Sequence, residues 1–201
     1  MMSLPDGAAA PPPATAARLL REATAQQHQA VERLPAMRAL MHAALSVDDY
    51  IQVLRRHHAV LAGWERRESA WLHASGGAEW RYRPRTALLE QDLAALHAPA
   101  PAPAAPPPAH GDGGRWGMLY VVEGSRLGGR VIARHLRQTL AAATPALAYF
   151  ELGHAEPASW RRFQQRLEQA LPTPALRQAA IDGARAMFAH FHTHLALETA
   201  A

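Results

Sequence analysis

Residues 119–136, LYVVEGSRLGGRVIARHL, combine helical periodicity with three glycines. Leu119, Val122, Leu127, Val131 and Leu136 recur near the 3.6-residue period, and the charged residues are interleaved among them. Gly124, Gly128 and Gly129 fall in the middle. An interior glycine costs a helix about 1 kcal/mol relative to alanine, so three forfeit roughly 3 kcal/mol of propensity. A helix that keeps them needs a compensating close approach. One candidate is a second helix crossing tightly at Gly124-x-x-x-Gly128; the other is a flat ligand lying on the backbone. The crossing explains two of the glycines but gives Gly129 and the neighbouring Ser125 no role.

The rest of the chain is also helical in pattern, and no segment sustains period-two alternation. Thr15 or its neighbours can cap a first helix that runs to about Leu34, where Leu34-Pro35 ends it. A short helix fits Ala36 to Leu45. Ser46 with Asp49 approximates a capping box for a long helix from Val47 to His73. Its stripe Tyr50, Leu54, His57, Leu61, Trp64, Trp71 is a core face, and Gly76-Gly77 breaks it. Pro84 can open a helix through Leu96. Residues 98–114, APAPAPAAPPPAHGDGG, read as a flexible Pro/Ala-rich connection within one domain. The glycine helix then runs from Trp116 to about Ala142, and Tyr149 to Ala155 reads as a loop. Helices follow from Ser159 and, capped by Thr173-Pro174, through Leu176, Ile181, Ala184, Phe188, Phe191 and Leu195. The expectation is an all-α, single-domain multi-helix bundle of about seven helices over residues 15–199, preceded by a disordered tail at 1–14.

Composition removes several functions. No apolar run approaches the roughly 20 residues that span a bilayer. The N-terminal tail lacks a basic region followed by an apolar one, so it does not read as a signal peptide, and a cytoplasmic location is expected. With no cysteine there are no disulfides, thiolate metal sites or cysteine nucleophiles. All 21 basic residues are Arg, which excludes Schiff-base lysines and Walker-type phosphate loops. A net charge of only +4, with Arg scattered among Asp and Glu, does not suggest nucleic-acid binding.

On the first helix Leu20, Thr24, His28 and Val31 share an inward face, with Glu32 one turn beyond His28. Arg21 lies two turns before His28, about 10.5 Å along the axis. A neutral imidazole oriented by a carboxylate, with a cation two turns away, suits a haem: iron on His28, a propionate on Arg21. The same residues also fit a core-edge histidine with an ordinary glutamate neighbour and a surface arginine. A second group, His190 and His194 with Glu198 continuing the row, has helical metal spacing but lies near the C-terminus. His57-His58 belongs to the core stripe or its edge.

Three stretches together resemble bacterial haem oxygenases of the biliverdin-producing, bacteriophytochrome-associated type. LREATAQQHQAVE, Leu20 to Glu32, is similar to the family's N-terminal helix, in which the axial His is preceded by a Thr and followed by a Glu. YVVEGSRLGGRVI, Tyr120 to Ile132, is similar to its distal helix, and TPALRQAAIDGARAMF, Thr173 to Phe188, to its last helix. The resemblance implies a haem oxygenase-like helical domain and cleavage of haem b by dioxygen and reductant to biliverdin, carbon monoxide and ferrous iron. Haem is then cofactor and substrate at once.

It further implies that His28 is the axial haem-iron ligand, with Glu32 and Thr24 beside it. Gly124, Gly128 and Gly129 would form the close distal backbone, and Arg21 and Tyr120 would contact propionates. Arg162 and Arg166 are weaker propionate candidates, and Arg18 weaker still. An external electron donor, such as a ferredoxin, flavodoxin or flavin reductase, is implied, and a bacteriophytochrome is a candidate acceptor of biliverdin. The membrane anchor of animal members has no counterpart here. Ser125 departs from the many members with Asp after the first distal glycine, where it orders the waters that deliver protons. Here Gly124 and Ser125 would have to supply that network, as in the bacterial members that also carry Ser. If they do not, the expectation becomes a catalytically impaired haem-binding protein for storage or sensing. A metal-pair bundle would instead need several inward Glu-x-x-His pairs on facing helices, and the sequence shows none.

Overall fold

A computed structural model describes residues 14–141, 146–155 and 157–196. Among them are nine helices and no strand: α1 (Ala16–Ala23), α2 (Ala25–Glu32), α3 (Pro35–Ala39), α4 (Val47–Ser75), α5 (Thr86–Ala95), α6 (Gly111–Thr139), α7 (Ala148–Ala155), α8 (Ser159–Ala170) and α9 (Pro174–Leu195). The all-α expectation holds. Most of the expected tail, and Glu198, lie outside the described residues.

Local chemistry sets the boundaries. The Thr15, Ser46 and Thr173 side chains accept from the backbone N–H groups of Arg18, Asp49 and Leu176, satisfying donors that a helix start leaves free. The expected first helix is in fact two. At Thr24 the backbone turns to φ −118°, ψ 11°, while the Thr24 hydroxyl donates to the Leu20 carbonyl at 2.7 Å. Such back-bonding competes with the helix ladder and bends the chain there. The short helix is only Pro35–Ala39, and α6 starts at Gly111, earlier than expected, with Gly111 at φ +65° just inside its start.

The segment expected as a loop from Tyr149 is helix α7. Its signal is tertiary: the buried Asp92 carboxylate on α5 accepts from the backbone N–H of Ala148 (2.8 Å) and Tyr149 (2.9 Å), capping it from outside. The Pro/Ala connection lies along α4. Ala104 N–H donates to the Ala59 carbonyl at 2.8 Å, and Arg67 reaches the Pro106 carbonyl at 3.1 Å. A Cβ on Gly63 would stand 1.8 Å from the Ala104 oxygen, so glycine is required at that contact.

The core is centred on α6 and α9, which pack most extensively on each other. Their crossing uses glycines other than the Gly124/Gly128 pair: a Cβ on Gly117 would lie 1.8 Å from the Ala180 carbonyl oxygen, and one on Gly183 2.1 Å from that of Gly114. Leu119, Met118, Leu136, Ala184 and Met187 fill the surrounding core. The Leu and Met side chains among them each contribute roughly 1.5–3 kcal/mol by leaving water. No helix among the described residues is long and apolar enough to cross a membrane.

Candidate functional site

The second half of α6 is open where its first half is packed. A Cβ on Gly128 would meet nothing within 4 Å, and one on Gly124 would meet only the rim of the Trp160 ring, at 3.7 Å. Leu127 and Val131, one turn apart, are 42% and 59% exposed; the one other large hydrophobic exposed among the described residues is Met41. Tyr120, Gly124, Leu127, Gly128 and Val131 follow helical spacing, so this is a single apolar strip over bare backbone. Gly129 turns the other way: its Cβ would stand 3.0 Å from the Phe150 carbonyl oxygen, so its smallness serves the contact with α7. That is the role the sequence alone did not find for it.

On α2, the His28 side chain is 57% exposed, with Nδ1 3.4 Å from the Glu32 carboxylate and its ring edge-on to Phe188 of α9. This orientation by Glu32 leaves Nε2 as the ring nitrogen able to ligate a metal. Thr24 is buried and spent on the helix bend. Arg21 and Tyr120 are electrostatically coupled. Burial raises the Tyr120 phenol, and the nearby Arg21 charge acts in the opposite direction. Tyr120 also packs on Trp160.

The remaining arginines divide. The half-buried Arg166 donates through Nε to the Ser75 carbonyl at 3.0 Å and its guanidinium lies over the Trp116 ring, while Arg162 is exposed. Arg18 pairs with Glu22 on the surface of α1.

Behind Gly124 the structure shows what the sequence did not. Glu123 is buried between Arg85 and Arg126, and Arg126 also donates to the Ser159 hydroxyl at 2.7 Å and the Leu152 carbonyl at 3.1 Å. Glu65 accepts from the Tyr82 hydroxyl and from the backbone N–H groups of Arg85 and Thr86. Ser125 is exposed and donates to the Val122 carbonyl at 2.8 Å. Burial pushes the Tyr149 phenol up to about 12, with Arg85 and Ser125 acting in the opposite direction. No spacing rule links Ser125 to a residue 24 positions later, and the α5 cap that builds α7 is invisible locally.

Of the C-terminal group, His190 and His194 are described, while Glu198 lies outside the described residues. His190 and His194 rings meet at 4.7 Å, but no group of three or more His, Cys, Asp or Glu is placed to hold a metal among the described residues. Burial, His194 and the Arg67 charge push His190 down to about 4. His57 is a core residue, its Nδ1 bonded to the Val53 carbonyl at 2.8 Å. His58 is buried with Nε2 3.4 Å from Glu90.

The family model described as "Heme oxygenase" matches residues 14–108 and 115–196. A curated relative from Xanthomonas campestris pv. campestris (strain 8004), named heme oxygenase, is 55% identical over 162 residues, covering 81% of this chain and 98% of the relative. The chain belongs to the haem oxygenase family. Its fold also matches a solved NO- and CO-bound heme oxygenase from Neisseria meningitidis, with TM-score 0.70, 23% identity and 91% of each chain covered. A haem oxygenase must hold a flat tetrapyrrole between an axial histidine and a bare distal backbone. The oriented His28, the open Gly128 and the uncovered Leu127–Val131 strip fit that group.

Proposed function

We infer that the chain is a haem oxygenase that degrades haem to biliverdin, carbon monoxide and ferrous iron, with His28 and the open strip of α6 as the two walls of its site. The observation that carries the site is the pairing of a carboxylate-oriented, accessible imidazole with a helix face that has no side chain at Gly128. Bound haem supplies the iron that activates dioxygen and the porphyrin carbon that is attacked. His28 Nε2 holds the iron, and Glu32 fixes the ring and raises its basicity. Arg21 and Tyr120 would hold the propionates, and their placement would bear on which porphyrin carbon is cleaved. Gly124 and Gly128 let the backbone approach the distal face, and Leu127 and Val131 exclude water from it.

Ser125 stands where a carboxylate orders protons in many relatives. Its hydroxyl, tied to the Val122 carbonyl and backed by the Tyr149 phenol, orders distal water in that role. The electrons come from an external donor of the ferredoxin, flavodoxin or flavin reductase kind, in the cytoplasm, and a bacteriophytochrome is a candidate recipient of the biliverdin. Haemin titration followed by ascorbate under air tests the reading. Loss of the Soret band with growth of biliverdin absorption is expected. A haem spectrum that persists without verdin would leave only a binding protein.

A further inference from the structure

The open strip of α6 is braced from behind by a short helix. At 3.6 residues per turn, Arg126, Gly129, Arg130 and Ala133 point away from Gly124, Leu127, Gly128 and Val131. Helix α7 lies against that rear face. A Cβ on Gly153 of α7 would stand 2.4 Å from the Arg126 carbonyl oxygen, and one on Gly129 would stand 3.0 Å from that of Phe150. The two backbones therefore meet at two points, with no side chain between them.

The last four carbonyls of a helix have no partner within it. In α7 two of them are taken by arginines one turn apart on α6. Arg126 donates to the Leu152 carbonyl at 3.1 Å, and Arg130 Nε donates to the Gly153 carbonyl at 2.6 Å. Positive charge at a helix C-terminus is also favoured by the helix dipole. His154 returns a bond, from Nε2 to the Arg130 carbonyl at 3.2 Å. At the other end of α7, Asp92 holds the first N–H groups, so the helix is pinned between α5 and α6. Arg126 also donates to the Ser159 hydroxyl at 2.7 Å, next to Trp160, whose ring rim flanks Gly124. Interior glycines and Gly-Ser pairs are where helices bend, and α6 has Gly124-Ser125, Gly128 and Gly129 in this stretch. The clamp on its rear face holds that stretch straight from outside.

We propose that Arg126 and Arg130 are positioning residues for the distal wall: by clamping α6 to the C-terminus of α7 they set where the bare Gly124–Gly128 backbone stands over bound haem. The proposal rests on the haem-site reading. Both side chains point away from the strip, so they act through the backbone. A misplacement of about 1 Å at a reacting centre can cost about 100-fold in rate, so a clamp of this kind bears on turnover without touching the haem.

Two readouts test it: amide hydrogen exchange in the haem-free protein, and the vibrational bands of the reduced haem complex with and without carbon monoxide. Arg130→Met removes the donor and the charge and keeps the apolar stem, while Arg130→Lys keeps a charge and a donor. In Arg130→Met the amides of residues 124–133 should exchange roughly tenfold faster, the worth of one hydrogen bond to a charged group, with those of α4 unchanged. Its carbon monoxide stretch should shift or split as the distal backbone takes more than one position. The iron–His28 stretch, which reports the opposite wall, should stay in place, and Arg130→Lys should restore both altered readouts. Arg126→Met should show the same changes more strongly; if it does not fold, the Arg130 variants decide. Faster exchange with an unmoved carbon monoxide band would make α7 a stabilising contact only and overturn the positioning role. Unchanged exchange in Arg130→Met, a band equally moved in Arg130→Lys, or an iron–His28 stretch that moves with it would overturn it as well. Failure of the native protein to bind haemin would overturn the site reading and this role with it; binding with both readouts unmoved in Arg130→Met would overturn this role alone.

Discussion

Arg85 and Glu123 form an ion pair in which each side chain is only 1% exposed, and Glu123 immediately precedes Gly124 of the open distal strip. The Glu123 carboxylate also meets Arg126 of its own helix at 3.3 Å. One buried carboxylate thus meets two buried guanidinium groups, and the pair with Arg85 ties α6 to the segment before α5. Glu123→Gln removes the charged half of the Arg85 pair, and breaking a buried pair this way costs about 3–5 kcal/mol. Urea unfolding should show that loss, while a change below about 1 kcal/mol, the range of surface pairs, would mean that solvent relaxes around the pair.

How much of this was readable in the sequence depends on the range of the interaction. The caps at Thr15, Ser46 and Thr173 are local, and the sequence places them correctly. His28 and Glu32 are one turn apart, so their pairing follows from helical spacing. The bend at Thr24 was missed because a threonine can either continue a helix or bond back to it, and only packing decides. Helix α7 was missed because its cap comes from Asp92 on another helix. The spacing offers Gly124 and Gly128 for a tight crossing and gives Gly129 no role in it, yet Gly117 and Gly183 make the crossing, Gly129 meets α7, and Gly124 and Gly128 are left open. Spacing alone cannot separate these, because each answer lies on the facing element.

His28→Ala removes the imidazole that Glu32 orients. The haemin complex should lose its axial-histidine spectrum, and turnover should cease. Glu32→Gln keeps a hydrogen bond but no charge, and an outer-shell loss of this kind costs about 10–100-fold in affinity or activity. An unchanged spectrum and turnover in His28→Ala would remove the central assignment.

Arg21→Glu reverses the charge beside Tyr120 at the pocket mouth. With Arg21 proposed to hold a propionate, weaker haemin binding and a changed proportion of biliverdin isomers are expected. Chromatography of the product decides it: the same isomer at unaltered affinity would place the propionates elsewhere.

Acid should weaken the fold through its buried histidines. Burial holds His57 down at about 4, from an ordinary value of 6.5, with the Val53 carbonyl only partly offsetting it. The unfolded chain takes up a proton below pH 6.5 and the folded one does not, so stability falls as pH drops from 6.5 toward 4. At 1.36 kcal/mol per pH unit this amounts to about 2 kcal/mol by pH 5 and about 3 kcal/mol by pH 4. Half-buried His190, also held near 4, adds a smaller loss of the same sign. Asp92 opposes them. Burial raises it to about 6, so its folded form binds the proton more tightly and gains stability as pH falls from 6 to 3.8. Urea midpoints at pH 7 and pH 5 should therefore differ in the native protein, and His57→Phe should narrow the difference. A gap equal to that of the native protein would take His57 out of the account.

Gly128→Ala separates stability from function at the strip. Nothing lies within 4 Å of the added Cβ, so the empty protein should gain about 1 kcal/mol of helix propensity and unfold later. The same methyl stands where the distal backbone is to approach the haem, so haemin binding and biliverdin formation should fall. Gly117→Ala is the contrasting case. Its Cβ would lie 1.8 Å from the Ala180 carbonyl oxygen, and the α6–α9 crossing has to open, destabilising the fold with or without haemin. Thermal unfolding with and without haemin distinguishes the two glycines. The strip is a ligand surface if Gly128→Ala raises the midpoint of the empty protein and reduces the further rise given by haemin. If the variant binds haemin as the native protein does, Gly128 does not face the tetrapyrrole and the distal wall lies elsewhere on α6.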